Sequence, residues 1–180
     1  MSPAPEARFS VRPADEGDLD ALVDLLEAVA VEAVWIGTEA PVDRQLARER
    51  LREGLPGDHT ARHFVAEAEG AVVGQVKVDL APYGVADLSM WVAEGWRRRG
   101  IGTALVQAAV DWARRAGAHK VALQVWPHNH AALGLYRKFG FVEEGVLRRH
   151  YPRRNGELWD AIVMGLVLDR VRPGSSVRRP

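Results

Sequence analysis

Three consecutive arginines, Arg97, Arg98 and Arg99, run directly into Gly100-Ile101-Gly102-Thr103. Before them Asp87 to Val92 reads as a strand. After them Ile101, Leu105, Ala109 and Trp112 share one helical face. A strand that turns through glycines into a helix makes an anion site, because the first helical amides lack intrahelical acceptors and the dipole there favours negative charge. Gly100 and Gly102 let backbone approach a bulky diphosphate without a Cβ in the way, and Thr103 adds a hydroxyl. The same residues also suit an ordinary cationic helix start whose glycines serve turn geometry. A Walker-type phosphate loop is excluded, since no Gly-Lys-Ser/Thr follows. A dinucleotide fold is disfavoured, since the full GxGxxG and the alternating run of strands and helices beyond it are missing.

A second group lies in NHAALGLYRKFGF, residues 129–141, where Asn129 opens a short helix and Tyr136 follows seven residues on. Alone, Tyr136 reads as an aromatic packing with Leu133, Leu135 and Phe139. Taken in order, the two segments resemble the coenzyme A-binding motifs of the GNAT superfamily of N-acetyltransferases. The first has the signature Gln/Arg-x-x-Gly-x-Gly/Ala, matched here by Arg97, Gly100 and Gly102. The resemblance, covering roughly Phe9 to Leu168, implies an α/β fold: a mixed, mostly antiparallel twisted sheet, splayed between strands 4 and 5, with helices on both faces. It implies acetyl-CoA as cosubstrate, pantetheine along Met90, Trp91 and Val92 with Val92 as backbone partner, and pyrophosphate on the amides of Arg98, Arg99, Gly100, Ile101, Gly102 and Thr103. Asn129 would bond the pantetheine arm or hold the helix start, and Tyr136 would point at the thiol. A hydroxyl there can protonate the departing thiolate.

The chain has no cysteine, so direct transfer in a ternary complex fits better than an acyl-enzyme. The resemblance implies that a backbone N–H of the fourth strand would polarise the acetyl carbonyl. An alkyl amine must lose a proton before attack. Many members of the family place a Glu in or near the fourth strand; here Leu88-Ser89-Met90-Trp91 stands there, with only Asp87 upstream. Glu39, in the loop between the first two helices, is the leading candidate base and Asp87 the next, beside water-mediated deprotonation. Each has a plainer use, Glu39 as a cap for the helix after Pro41 and Asp87 as a solvated strand end. The missing strand Glu leaves a non-catalytic acyl-CoA-binding sensor as the alternative. His128 and His130 flank Asn129 without the spacing of a metal motif, and no metal is expected.

The C-terminal stretch EEGVLRRHYPRRNGELWDAIVMGLVL resembles the branch that includes ribosomal-protein, polyamine and amino-acid acetyltransferases, so the acceptor is an amine of a small molecule, amino acid or peptide. Asp160 reads as a residue that orients the hairpin or, as the second alternative, reaches the pocket. Arg148, Arg149, His150, Arg153 and Arg154 crowd the hairpin tip and read as a solvated face, or as a surface steering an anionic acceptor or ribosomal RNA. Trp35, Trp91, Tyr83 and Tyr151 suit either the core or an aromatic acceptor pocket.

The elements that must position these groups follow from periodicity. Phe9 to Val11 begins a strand, and Leu19, Leu22, Leu26 and Val29 share one helical face after the capping stretch at 15–18. A bend at 35–38 precedes a polar helix opened by Pro41 and Asp43 and ended by Gly54. Strands at 64–68 and 72–80 meet at Glu69-Gly70. A helix ending at Gly117, a strand through Val121, Leu123 and Val125, and a short helix ending at Gly140 follow. A hairpin from Phe141 to Leu168 turns at Arg154-Asn155-Gly156.

The 180 residues suit one domain, expected over 8–171, with flexible tails at 1–7 and 172–180. Acids and bases balance at 24 each, so nothing points to nucleic acid or membrane as a partner. The N-terminus lacks a signal-peptide core, and no apolar run approaches the roughly 20 residues that span a bilayer. With no cysteine, the cytoplasm is the expected compartment. Similar proteins are commonly homodimers.

Overall fold

The computed structural model describes residues 8–55 and 60–168. Seven strands form one sheet: β1 (Ser10–Pro13), β2 (Ala61–Ala68), β3 (Ala71–Leu80), β4 (Val85–Val92), β5 (Lys120–Val125), β6 (Val142–Pro152) and β7 (Leu158–Val167). Their order across the sheet is β1-β2-β3-β4-β5-β7-β6. All neighbours are antiparallel except β4 and β5. The helices are α1 (Leu19–Val31), α2 (Arg44–Arg52), α3 (Ile101–Arg115) and α4 (His130–Lys138). This is the mixed α/β architecture and the element order that the sequence predicts. Both expected tails, and residues 169–171 of the expected domain, lie outside the described residues. Among those described, no helix is long and apolar enough to cross a membrane.

The helices divide between the two faces. Leu19, Leu22, Val23 and Leu26 of α1 pack with Ala47 and Leu51 of α2 on Val65 and Trp91 of the sheet. On the other face Ile101, Leu105 and Ala109 of α3, with Leu133 and Tyr136 of α4, cover Val76, Val78, Leu88 and Leu123. Local chemistry sets the boundaries. Asp15 and Asp18 form a capping box ahead of α1, and Arg12 reaches both oxygens of the Asp18 carboxylate at 2.7 and 2.8 Å, which holds that acid below its usual range. Asp43 caps α2 and Asn129 caps α4, each side chain accepting an amide of the first turn.

Gly74 on β3 governs how closely α3 approaches the sheet. A Cβ there would meet Ile101 Cγ2 at 3.1 Å, Leu105 Cδ1 at 3.2 Å and Val92 Cγ2 at 3.4 Å. Gly74→Ala is therefore expected to destabilise the protein by about 1–2 kcal/mol through overpacking, read as a lower urea midpoint. It should also weaken binding of any ligand held by the start of α3; a variant unchanged in both would show that α3 can slide.

Candidate active site

Strands β4 and β5 pair only at Val85↔Lys120, Ala86↔Val121 and Asp87↔Ala122. Beyond Asp87, β4 keeps only β3 as partner and β5 keeps only β7. The sheet thus forks, and a cavity of about 1080 Å³ fills the gap. Strand alternation sorts its walls. Leu88, Met90 and Val92 belong to the cluster under α3, and Trp91 to the cluster under α1. Asp87 and Ser89 therefore share the α1 face with Trp91. On β5, Val121, Leu123 and Val125 pack under α3, which leaves Ala122 and Gln124 for the α1 face.

The α3 half is a cradle for an anion. Arg98 and Gly100 both take left-handed backbone, at φ +64° and +84°. Gly100 sits at the N-terminus of α3, where no side chain caps the helix and no acid occupies the first turn. The bond from Ala104 N to Gly100 O, at 3.1 Å, is the first of the helix, so the preceding amides face outward. A Cβ on Gly102 would lie 3.1 Å from Leu135 Cδ2 and 3.4 Å from Met90 Cε, so glycine there preserves the fit between α3, α4 and the cleft wall. Met90, Trp91, Val92, Arg97, Arg98, Gly100, Gly102, Thr103, Asn129 and Tyr136 all line the cavity. Two other expected positions do not. Arg99 turns away over the Trp96 ring at 4.8 Å, and the Ile101 side chain is buried in the core.

Arg97 lines the cleft yet spends its guanidinium on the protein. Its two Nη atoms fork onto both Glu32 oxygens at 2.7 and 2.6 Å, and Nε donates to Val92 O at 2.9 Å. That pairing holds the Glu32 carboxyl below its usual range. Asn129 Oδ1 accepts Ala132 N at 3.1 Å, the helix-start use that the sequence allowed. The Tyr136 ring is tilted on Phe141, and burial lifts its phenol above the ordinary value, so it stays protonated across the neutral range.

On the α1 half, the cavity is lined by Trp35, Ile36, Gly37 and Thr38 from the loop after α1, Asp87, Ser89 and Trp91 from β4, and Gln124, Trp126 and Tyr151. Desolvation, helped by Asp79 across the ladder, raises the Asp87 carboxyl above its usual range. Glu39 does not line the cleft. It accepts the Arg154 amide at 2.9 Å and pairs with Arg153 at 3.4 Å, in a separate small hollow. Tyr83 is 71% exposed and likewise outside. His63, beneath α1, is pushed down to about 4 by burial and also stands apart from the cleft.

Residues 22–141, well over half of the chain, match the model of the acetyltransferase (GNAT) family. The chain belongs to that family. An L-amino acid N-acetyltransferase of Escherichia coli K12 is 30% identical over 87% of the chain and 96% of its own length. An N-alpha-acetyltransferase of Sulfurisphaera tokodaii is 37% identical over 62% of the chain and 72% of its own. An acetyltransferase of Salmonella typhimurium, solved with its cofactor acetyl-CoA, superposes with a TM-score of 0.77 at 21% identity, covering 93% of this chain and 99% of that one.

Within this GNAT domain the basic hairpin tip is exposed at Arg148, Arg149, His150 and Arg154, as expected, whereas Arg153 is buried and clamps the neighbouring loop. The Arg153 side chain is 2% exposed and lies 4.3 Å from the Trp159 ring centre. Its guanidinium donates to Ala33 O at 3.0 Å and to Ile36 O and Gly37 O at 3.2 Å. Arg154 donates to Ala40 O at 2.7 Å and Pro41 O at 3.1 Å. The loop between α1 and α2 is thereby fixed as a wall of the acceptor half. Sequence reasoning missed Glu32 and named Arg153 without its buried, clamping use; the one available hint was arginine, the side chain suited to several carbonyls or a forked carboxylate. Asp160 accepts the Arg149 amide at 2.6 Å, the orienting use expected of it. Arg153→Lys keeps the charge and loses the fork. Its expected cost is about 2 kcal/mol of stability and a several-fold rise in acceptor KM, with acetyl-CoA affinity unchanged by calorimetry.

Proposed function

We propose that the protein moves the acetyl group of acetyl-CoA directly onto a primary amine in a ternary complex, with Asp87 receiving the amine's proton and Tyr136 supplying one to sulfur. One observation carries this reading: a carboxylate from the α1 face and a phenol from α4 line the same cleft, on either side of a forked sheet. The residues of the α3 half suit the cosubstrate. The outward amides at the start of α3 and the absence of side chains on Gly100 and Gly102 suit a diphosphate. The β4 edge beyond Asp87 suits the amide-bearing arm, and Asn129 can donate its Nδ2 while Oδ1 caps α4. Glu32, through Arg97, holds the loop that offers those amides.

Acetyl-CoA supplies the thioester carbonyl; the amine nitrogen bonds to its carbon, the C–S bond breaks, and coenzyme A leaves as a thiolate. Asp87, directly or through a water, takes the proton that frees the nitrogen lone pair. Its raised pKa brings it nearer to the acceptor it must deprotonate. A β4 backbone N–H polarises the carbonyl oxygen. Tyr136, kept protonated by burial, gives its proton to the departing sulfur and is reprotonated by the second proton that the nitrogen sheds as the amide forms. Glu39 is left a structural part, anchoring the acceptor loop to the hairpin. Nothing in the geometry favours the sensor reading. A cysteine-free chain that uses acetyl-CoA fits a cytoplasmic enzyme.

Asp87→Asn is expected to lower kcat/KM about a hundredfold and to erase the acidic limb of its pH profile. That limb should lie above the ordinary carboxylate range, with activity rising as Asp87 ionises. The fold disfavours the ionised form, so stability falls as pH rises through the folded-state pKa, and the Asn variant should match or exceed the parent's melting point at pH 7. A retained limb would take Asp87 out of the mechanism. Tyr136→Phe should cut turnover by about a hundredfold with acetyl-CoA affinity nearly intact; unchanged turnover would remove Tyr136.

A further inference from the structure

The acceptor half of the cleft is aromatic and carries one charge. Trp35, Trp91, Trp126 and Tyr151 present rings to it, the Trp126 ring packing edge-on to Tyr151 at 5.0 Å. Its neutral polar groups are Ser89, Thr38, Gln124, whose Oε1 takes the Tyr151 hydroxyl, and the indole N–H groups of Trp91 and Trp126, which have no hydrogen-bond partner. Asp87 is the charged group.

The three arginines nearest the acceptor half are bound within the protein. Arg97 is neutralised by Glu32. Arg153 is sealed by three carbonyls and Glu39, and the exposed Arg154 donates to two carbonyls. Lys77, the register neighbour of Ser89, pairs with Asp79 at 3.0 Å, and its Cε lies 3.3 Å from where a Cβ on Gly54 would be, at the far side of β3. Arg98, His130 and Lys138 line the cavity from the coenzyme loop and α4, and Arg148, Arg149, His128 and His150 do not line it. Among the described residues, no unpaired cation faces the acceptor half.

We infer that the acceptor is a primary amine with an apolar or aromatic body and no carboxylate beside the nitrogen. This rests on the acetyltransferase reading of the cleft. An ammonium group meets Asp87 and the ring faces, both of which attract a cation. A free amino acid would bring a second anion beside Asp87 with no guanidinium or ammonium to receive it, and a partly desolvated, unpaired carboxylate is costly. The inference separates this chain from relatives named for free amino acids.

The test compares phenethylamine with phenylalanine, whose nitrogens ionise in a similar range so that the carboxylate is the variable. Phenylalanine amide serves as a neutralised control. Free-thiol release gives kcat/KM, and calorimetry on protein saturated with coenzyme A gives acceptor binding apart from chemistry. The amine and the amide should exceed the free amino acid by about tenfold or more in both measurements. Phenylalanine equal to or better than phenethylamine would overturn the inference, as would binding of none of the three. Selective binding of the amine without thiol release would uphold the pocket's preference and instead remove the proton-transfer roles of Asp87 and Tyr136.

Discussion

The structure depends on a limit to strand pairing: β4 and β5 share three register pairs and then separate. An unpaired strand edge inside a protein is normally a liability, because its N–H and C=O groups need partners. Here both strands keep their outer neighbours, so the sheet stays intact as two halves while its inner edges open toward a cavity. Everything functional is arranged around that opening. The start of α3 closes one wall, the loop after α1 closes the other, and the close approach at Gly74 and Gly102 keeps α3 and α4 tight against the edge they serve.

Charge in this molecule is used largely as mortar. The arginines nearest the cleft fasten separate parts of the chain: Arg97 ties the loop ahead of α3 to the end of α1, and Arg153 ties the β6–β7 hairpin to the loop that α1 leads into. Both use the planar fork of the guanidinium, which lysine lacks. The two walls are therefore joined through one element, the C-terminal end of α1, with Glu32 and Ala33 adjacent in sequence and each holding a different arginine.

The seven strands and four helices were legible in order, because the helices carry apolar stripes and the strands are apolar or alternating runs bounded by turn residues. Edges were less legible. β2 starts at Ala61 rather than Phe64, since Arg62 and His63 break the apolar alternation that would announce it. The loop ahead of α3 was legible because its signal is local: arginines, two glycines and a helix start within seven residues. Asp87 was named but placed behind Glu39, since no local pattern shows that Asp87 lines the cleft and Glu39 does not. The use of Glu39 and the burial of Arg153 were hidden for the same reason. Both depend on contacts spanning more than 100 residues, and within a basic run nothing distinguishes the arginine that will be sealed from those that stay wet.

A sheet joined across its middle by three pairs is mechanically two plates on a narrow hinge. Any change in the angle between the plates moves the far ends of β4 and β5 most, where Val92 and Val125 stand, and moves the residues at the joint least. Asp87 belongs to the last pair before the plates part. The Asp87 carboxylate, at the pivot, keeps its place relative to both plates.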